Sequence, residues 1–420
     1  MKTTILSLAF ALVALTVSSQ TVLTLDECRS LALENNVAVR NAERGVQSAR
    51  EQKREAFTGY FPTVSAVGAA AWFNEDVLSM VDRLTVAGVT AVLPVFAGGR
   101  IVNGNKLASL GLDVSRIQWE QQQDEVCLTA EKYFWTIVTL EEKLRTLDRI
   151  YAMLETLCHD VSVAVDAGVT MRNDLLQVQL QQNSVESGRI SLRNGIRVSK
   201  SFLAQYIGVA DTALTLRSGI DTGSLPEFPL TLRQDHRAVL SSNNDYRLLE
   251  KNVESARLQR KMEVGKNLPS MGVGVGYSYY DMMDMDSWFG MVFATVSVPL
   301  SGWWGGSHAI KRKKIAERTA VEQFEDTSEQ LLILMDKYWD DVEDAYKQLA
   351  IARQSIEQAE ENERLNEDFY RAGTTQMSDL LDAQRYLQQA SDSYVEAYAD
   401  YLTKISVYKI ATGCYSFGND

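Results

Sequence analysis

The feature of this sequence that most constrains its fold is a ten-residue pattern that occurs twice. Residues 167–176 and residues 372–381 both read A-G-x-T-x-x-x-D-L-L, and a Gln follows three residues after the last Leu of each copy. Gly commonly ends a helix in the left-handed conformation, and Asp is favoured near the start of the next helix. Each copy lies between two long helix-like stretches. The pattern therefore predicts the tips of two long helical hairpins in a chain built from two repeats.

The stretch before each copy has an unbroken heptad seam. Apolar residues from Val126 to Val165 follow one another at spacings of four and three, and the series from Leu331 to Ala359 has the same spacings. This periodicity predicts coiled-coil packing along very long helices, the first of them from about residue 101 to residue 167. Because both the seams and the tips recur at an offset of 205 residues, the two hairpins are predicted to have equal arms.

Four short segments are expected to form strands, two before each long helix. We place them at residues 63–73, 85–96, 270–280 and 288–299. In the third segment, bulky side chains at Met271 and at every second residue up to Tyr279 alternate with Gly or Ser, as in a barrel wall whose bulky side faces lipid. Aromatic residues at the segment ends suit a membrane interface. They are Tyr60, Phe61, Trp72, Phe73, Tyr279, Tyr280, Trp288, Phe289, Trp303 and Trp304.

Four strands cannot close a barrel by themselves, and an open sheet edge cannot face lipid. A spanning sheet would therefore require an oligomer, in which two chains would supply eight strands and three chains would supply twelve. Eight strands fill their lumen with side chains, whereas twelve leave an open pore. The alternative is a secreted or periplasmic structural coiled-coil protein whose short strands form a small soluble sheet.

The start of the chain has the form of a secretory signal peptide, which we place at residues 1–19. Lys2 supplies the positive charge, an apolar run follows, and small residues precede a cut at Gln20. We divide the rest into a first repeat, a linker, a second repeat and a tail. Their bounds are 20–208, 209–233, 234–413 and 414–420.

Composition and motifs argue against several classes of function. The formal net charge of −13 argues against a nucleic-acid partner, which requires clustered positive charge. The sequence has no nucleophile and base in a recognisable arrangement and no ligand-spaced metal motif, so we predict no enzyme, no catalytic or metal site and no cofactor. Four scattered Cys do not form a disulfide framework. After the signal there is no run of 18 apolar residues, so no spanning helix is predicted.

With these features the chain resembles the outer-membrane factors of the TolC type. The resemblance rests on LTLDEC at residues 23–28, ALENN at residues 32–36, the doubled tip pattern and the duplicated strands. It covers nearly the whole chain after the signal. It implies a homotrimer with a 12-stranded β-barrel in the outer-membrane lipid, continued by a periplasmic α-barrel. It also implies a periplasmic adaptor, an inner-membrane transporter and export through a gated duct, in efflux or type I secretion.

The resemblance also implies roles for residues at the tips. Six of them match the positions that contact the adaptor in the family: Ala167, Gly168, Val169, Ala372, Gly373 and Thr374. Asp379 and Asp382 match acidic rings at the pore entrance, and their spacing places them on one helical face. Asp174 and Tyr370 match a hydrogen-bonded gating pair, whereas Thr375 stands where some members have a gating Arg. Simpler roles remain open for these residues, as helix-end Gly, capping Asp or solvated surface charge.

Overall fold

The computed structural model describes residues 22–72, 83–210, 214–217, 225–282, 285–300 and 302–414. The signal peptide predicted at residues 1–19, residue 73 of the first expected strand, parts of the linker and most of the tail lie outside these ranges. In the described part of the chain, no helix has both the length and the apolar character needed to cross a membrane.

The expected fold class is confirmed, because the chain is mainly helical and each of two strand pairs is followed by a long helical hairpin. The helices are α1 (Leu25–Asn35), α2 (Val37–Thr58), α3 (Arg100–Asp166), α4 (Arg172–Ile207), α5 (His236–Val239), α6 (Asn244–Lys266), α7 (Gly302–Arg371) and α8 (Met377–Ala411). The strands are β1 (Val22–Leu23), β2 (Thr63–Trp72), β3 (Arg83–Ala97), β4 (Thr215–Leu216), β5 (Ser270–Met282) and β6 (Met285–Ser297). Short 3-10 turns lie at Leu230–Leu232 and Leu240–Ser242.

The helical segment before β2 is interrupted at Asn36, which separates α1 from α2. Its start is a capping box, in which Thr24 and Glu27 bond each other's backbone N–H. Asn36 has extended backbone angles, its Oδ1 accepts the Ala38 N–H at 2.8 Å, and its Nδ2 donates to the Tyr206 carbonyl at 3.3 Å. The interruption thus caps α2 and ties α1 to the end of α4, a contact that local periodicity does not reveal.

The larger sheet has the strand order β2-β3-β5-β6, and every neighbouring pair is antiparallel. In the described residues, β2 and β6 are each paired on one side only. β3 extends one residue past its predicted end, to Ala97, and has a register shift between Pro94 and Phe96. Proline has no N–H to donate to the ladder, which suits an irregularity at this point.

The two faces of β5 differ as its alternating sequence predicts. Met271, Val273, Val275 and Tyr277 are exposed, while Gly274 between them is buried. A Cβ added to Gly274 would meet the ring carbons of Phe293, its partner residue in β6. Glycine therefore makes room for the neighbouring ring on one face, and the other face presents bulky apolar side chains outward.

Aromatic residues cluster at both ends of the sheet. Near the turn between β5 and β6, the Trp288 ring lies 5.4 Å from Tyr277 and 5.0 Å from Tyr279 between centroids. Before the start of β2, the Phe57 ring lies 5.6 Å from both Tyr60 and Phe61. The strands are thus bounded by rings at both ends, as expected from the sequence.

The heptad seams are the buried faces of the long helices. Many seam residues of α3 and α7 are buried, and both helices pack along their own hairpins. The buried seam residues are Val126, Ala130, Ile137, Leu147, Leu154 and Val161 in α3, and Leu331, Met335, Val342, Ala345, Leu349, Ala352, Ile356 and Ala359 in α7. Leu225, Phe228 and Leu232 of the predicted linker pack against the core of the second hairpin.

Two compact units divide the chain. One comprises the described residues within 1–40, 122–235 and 335–420, and it contains both hairpin tips; the other comprises the described residues within 41–121 and 236–334, and it contains the four-stranded sheet. In the second unit, Val46 and Ala49 of α2 form a small core with Leu112 of α3, against which Trp119 packs. Each unit takes segments from both sequence repeats.

Candidate functional site

The two tips of the predicted hairpins have the same backbone turn. Gly168 and Gly373 have φ angles of 72° and 70°, in the left-handed region. In each tip, the Gly N–H donates to the carbonyl three residues earlier, and the N–H of the next residue, Val169 or Thr374, donates to the carbonyl five residues earlier. These paired bonds define a Schellman motif, so the Gly of the repeat ends each long helix.

The Thr and the Asp of the doubled pattern are hydrogen-bonded to each other. Thr170 Oγ1 donates to Asp174 Oδ2 at 2.6 Å, and Thr375 Oγ1 donates to Asp379 Oδ2 at 2.7 Å. Asp379 Oδ2 also accepts the Gln376 N–H at 3.3 Å. Each Asp is the third residue of its return helix, where a negative charge is favoured by the helix dipole. The recurring T-x-x-x-D spacing is therefore a local device for starting the return helix.

The six residues matched to the adaptor-contacting tips are all exposed. Val169 and its neighbour Met171 are the most exposed large apolar side chains here, at 80% and 75%. A Cβ added to Gly168 or Gly373 would meet nothing within 4 Å. The tips therefore present small and apolar groups at the two turns, with open space around each Gly.

The two candidate ring residues, Asp379 and Asp382, are both exposed near the start of α8. Their surroundings differ: Asp379 is held by Thr375, whereas Asp382 Oδ1 accepts from Arg385 Nη2 at 2.9 Å. The sequence analysis missed Arg385. Its position three residues after Asp382, on the same helical face, is the signal that could have identified it.

Asp174 and Tyr370 line a common cleft between the two hairpins. Burial raises the pKa of the Tyr370 phenol, and the nearby Asp174 carboxylate raises it further. The described residues include no hydrogen bond between the two side chains, and the Asp174 carboxylate is instead bonded to Thr170. The two residues of the predicted gating pair therefore line one cleft but are not hydrogen-bonded to each other in the described structure.

The cleft has a volume of about 920 Å³ and also contains a side chain to which the sequence analysis gave no role. Gln384 of α8 lines it and is only 4% exposed, and its Oε1 has no hydrogen-bond partner. Gln179, at the equivalent place in the first repeat, is exposed. Sequence alone could not separate these two Gln residues, because their spacing from the tip is the same.

A buried apolar cluster supports the tips. It consists mainly of first-hairpin residues and includes Met377 of the second hairpin, while Tyr370 and Leu381 pack against it. Its buried members are Leu147, Ile150, Leu154, Val161, Val178, Val185 and Met377. Side chains of both hairpins thus share one core next to the cleft.

The similarity to a known protein family extends over most of the chain. Residues 28–209 and 237–407 match the family model described as outer membrane efflux protein. No curated protein matches the chain.

Several solved structures share the fold at low sequence identity. The outer membrane protein VceC of Vibrio cholerae is 15% identical, with a TM-score of 0.76 over 93% of this chain and 96% of that one. The CmeC outer membrane channel of Campylobacter jejuni is 15% identical, with a TM-score of 0.79 over 94% and 87%. The open MtrE outer membrane channel of Neisseria gonorrhoeae is 17% identical, with a TM-score of 0.77 over 93% and 88%.

Proposed function

The chain belongs to the outer membrane efflux protein family, and from this premise we propose that three copies of it form the outer-membrane duct of a tripartite export system. The protein is an outer-membrane efflux channel with a periplasmic helical part, and it is not an enzyme. The family match over both repeats is the observation on which the function rests. This match disfavours the alternative hypothesis that the chain is a secreted or periplasmic structural coiled-coil protein.

The open sheet supports the trimer. In the described chain, β2 and β6 each leave one edge unpaired, and lipid does not tolerate an unpaired edge. Three four-stranded sheets joined edge to edge would give twelve strands, enough for an open pore. The exposed bulky side chains of β5 would face lipid, and the rings at both strand ends would lie at the two interfaces.

The hairpin tips support docking to a periplasmic adaptor that connects the duct to an inner-membrane transporter. Gly168 and Gly373 leave open space around the two turns, and the neighbouring Val169 is 80% exposed. Small residues with adjacent apolar side chains allow close packing by a partner protein. We assign this contact to Ala167, Gly168, Val169, Ala372, Gly373 and Thr374.

The charged and phenolic groups near the tips support a gate. Tyr370 and Asp174 come from different hairpins and line one cleft, so their contact would change if the hairpins moved apart. Asp379 and Asp382 share one helical face, and three copies would place six carboxylates around the entrance. Such rings favour cations.

Reconstitution tests the channel. Protein purified from outer membranes is expected to give discrete conductance steps in a planar bilayer and the mass of three chains in detergent. Heat-unfolded protein at the same concentration is the control for detergent leakage. A single-chain mass, or no conductance at any voltage, salt concentration or pH applied, would contradict the proposal.

A further inference from the structure

The cleft between the hairpin tips has the dimensions and walls of a small-molecule site. Its volume of about 920 Å³ lies in the range that accommodates drug-sized ligands. Leu157 and Val161 of α3 and Leu380 of α8 supply apolar wall, and polar groups of both hairpins face the same space. Apolar walls with a few converging polar groups are typical of ligand pockets.

The observation that points to a ligand is the buried side-chain oxygen of Gln384, which has no hydrogen-bond partner in the described structure. The Gln384 side chain lines the cleft and is 96% buried. Buried carbonyl oxygens are normally paired, because an unpaired one loses its hydrogen bonds to water without replacement. Gln179 of the first repeat is exposed, so its side-chain oxygen can accept from water. A donor brought by a ligand would satisfy Gln384.

The charges of the cleft indicate which donor fits. Four charged side chains line the cleft, and two of them, Glu367 and Arg371, form an ion pair with each other. The other two, Asp160 and Asp174, give the cleft wall an excess of negative charge. Asp160 has no ion pair among the described residues, and Asp174 uses one carboxylate oxygen for its bond with Thr170. The cleft is therefore acidic and has acceptors to spare, so an ammonium group suits it better than an anion or a neutral group.

We propose that this cleft binds a small organic cation, a primary amine on an apolar body. The ammonium donates to Gln384 Oε1 and to the Asp174 carboxylate, while the body packs against Leu157, Val161 and Leu380. Asp174 belongs to α4 and Gln384 to α8, so one ligand contacts both hairpins. Binding then stabilises the arrangement in which the tips adjoin and opposes their separation. This regulatory consequence rests on the proposed channel function, whereas the binding itself does not.

The binding test uses 2-(1-naphthyl)ethylamine as the probe and the neutral 2-(1-naphthyl)ethanol as its matched control. Titration calorimetry of the purified wild-type channel in detergent is expected to show one amine per chain and at least about tenfold weaker binding of the alcohol. Gln384→Met and Asp174→Asn each remove one partner of the ammonium and are expected to weaken amine binding about tenfold. Gln179→Met is the matched control at the equivalent exposed position and is expected to leave the affinity unchanged.

Two results would overturn the inference: no saturable amine binding by the wild-type channel, or equal amine affinity in the wild type and in both cleft variants. A circular dichroism spectrum of each variant that matches the wild type excludes loss of fold as the cause of weaker binding. Conductance of the same wild-type preparation without amine is measured in parallel. A conducting protein that does not bind the amine keeps the channel function and refutes only the site.

Discussion

At the scale of the residue, Glu131 of α3 is a buried carboxylate that needs hydrogen-bond partners. It is 1% exposed within α3, and its carboxylate accepts from Arg29 Nη2 at 2.7 Å and from Ser406 Oγ at 2.9 Å. The Trp135 indole N–H donates to it at 3.3 Å. A buried carboxylate is tolerated only when it is paired and hydrogen-bonded. This cluster therefore fixes α1 and α8 against the middle of α3.

Removing this carboxylate gives the first prediction. Glu131→Ala is expected to lower the free energy of unfolding by about 3–5 kcal/mol, because it leaves the mostly buried Arg29 without its main partner. Urea unfolding followed by circular dichroism measures the change. Glu51→Ala breaks the exposed ion pair with Arg54 and is expected to cost at most about 1 kcal/mol. Equal losses in the two variants would show that the Glu131 cluster has no special role.

At the scale of the element, the long helix α3 contacts more than its seam indicates. The Tyr133 ring is stacked on Phe202 of α4 at 6.5 Å, and the Trp135 ring lies 6.3 Å from Tyr398 of α8. Phe134, outside the predicted seam, is 1% exposed. A heptad seam predicts one partner helix, whereas the middle of α3 is covered on several sides. The extra contacts come from helices distant in the sequence.

The helix α8 contains a carboxyl group whose protonation should affect stability. Burial raises the pKa of Asp392, and Glu396 raises it further, while Lys143 and a hydrogen bond with Gln388 lower it. A carboxyl pKa that is raised in the folded state contributes stability below its unfolded value of 3.8. This contribution is lost as the pH rises through the folded value.

Asp392→Asn is therefore expected to raise the urea midpoint at pH 7 modestly. The gain should shrink at about pH 3.5, below the unfolded value of 3.8, where the wild-type carboxyl is mostly protonated in both states. Unfolding curves of both proteins at the two pH values measure it. Asp400→Asn, at an exposed position of the same helix, is expected to change the midpoint little at either pH. A gain for Asp392→Asn that is the same at both pH values would rule out the ionised carboxylate as its cause.

At the scale of the whole molecule, three copies of the chain would turn single side chains into rings. Each copy would contribute Asp379, whose carboxylate is bonded within its own tip, and Asp382, which is paired with Arg385. Arg385 would therefore reduce the negative charge that the Asp382 ring presents to the pore. The selectivity of the entrance should depend on all three residues.

The third prediction concerns that selectivity. Asp379→Ala combined with Asp382→Ala is expected to reduce the cation-over-anion permeability ratio by about twofold or more, whereas Arg385→Ala is expected to increase it. Reversal potentials in a salt gradient across a planar bilayer measure the ratio. Glu51→Ala, which changes a carboxylate outside the tips, is the control. Unchanged reversal potentials in both tip variants would show that these residues do not lie at the pore entrance.

Much of the helical fold was accessible from the sequence because its signals are local or periodic. Gly168 and Gly373 end helices through bonds to carbonyls three and five residues earlier, and Asp174 and Asp379 accept from Thr side chains four residues before them. The period-two alternation of β5 likewise follows from the pleat. The doubled pattern predicted two hairpins, and the resemblance of the chain to the outer-membrane factors implied an efflux-channel fold, which the family match confirms.

The spacings along the chain were thus enough to predict the long helices, the two strand pairs and the two hairpins. Which side chains meet across elements depends on the folded arrangement of the chain. That arrangement buried Gln384 but left Gln179 exposed, paired Glu131 with Arg29, and drew each compact unit from both repeats. The physical reason is that burial and charge pairing depend on neighbours distant in the sequence, and two repeats with the same spacing face different neighbours once folded.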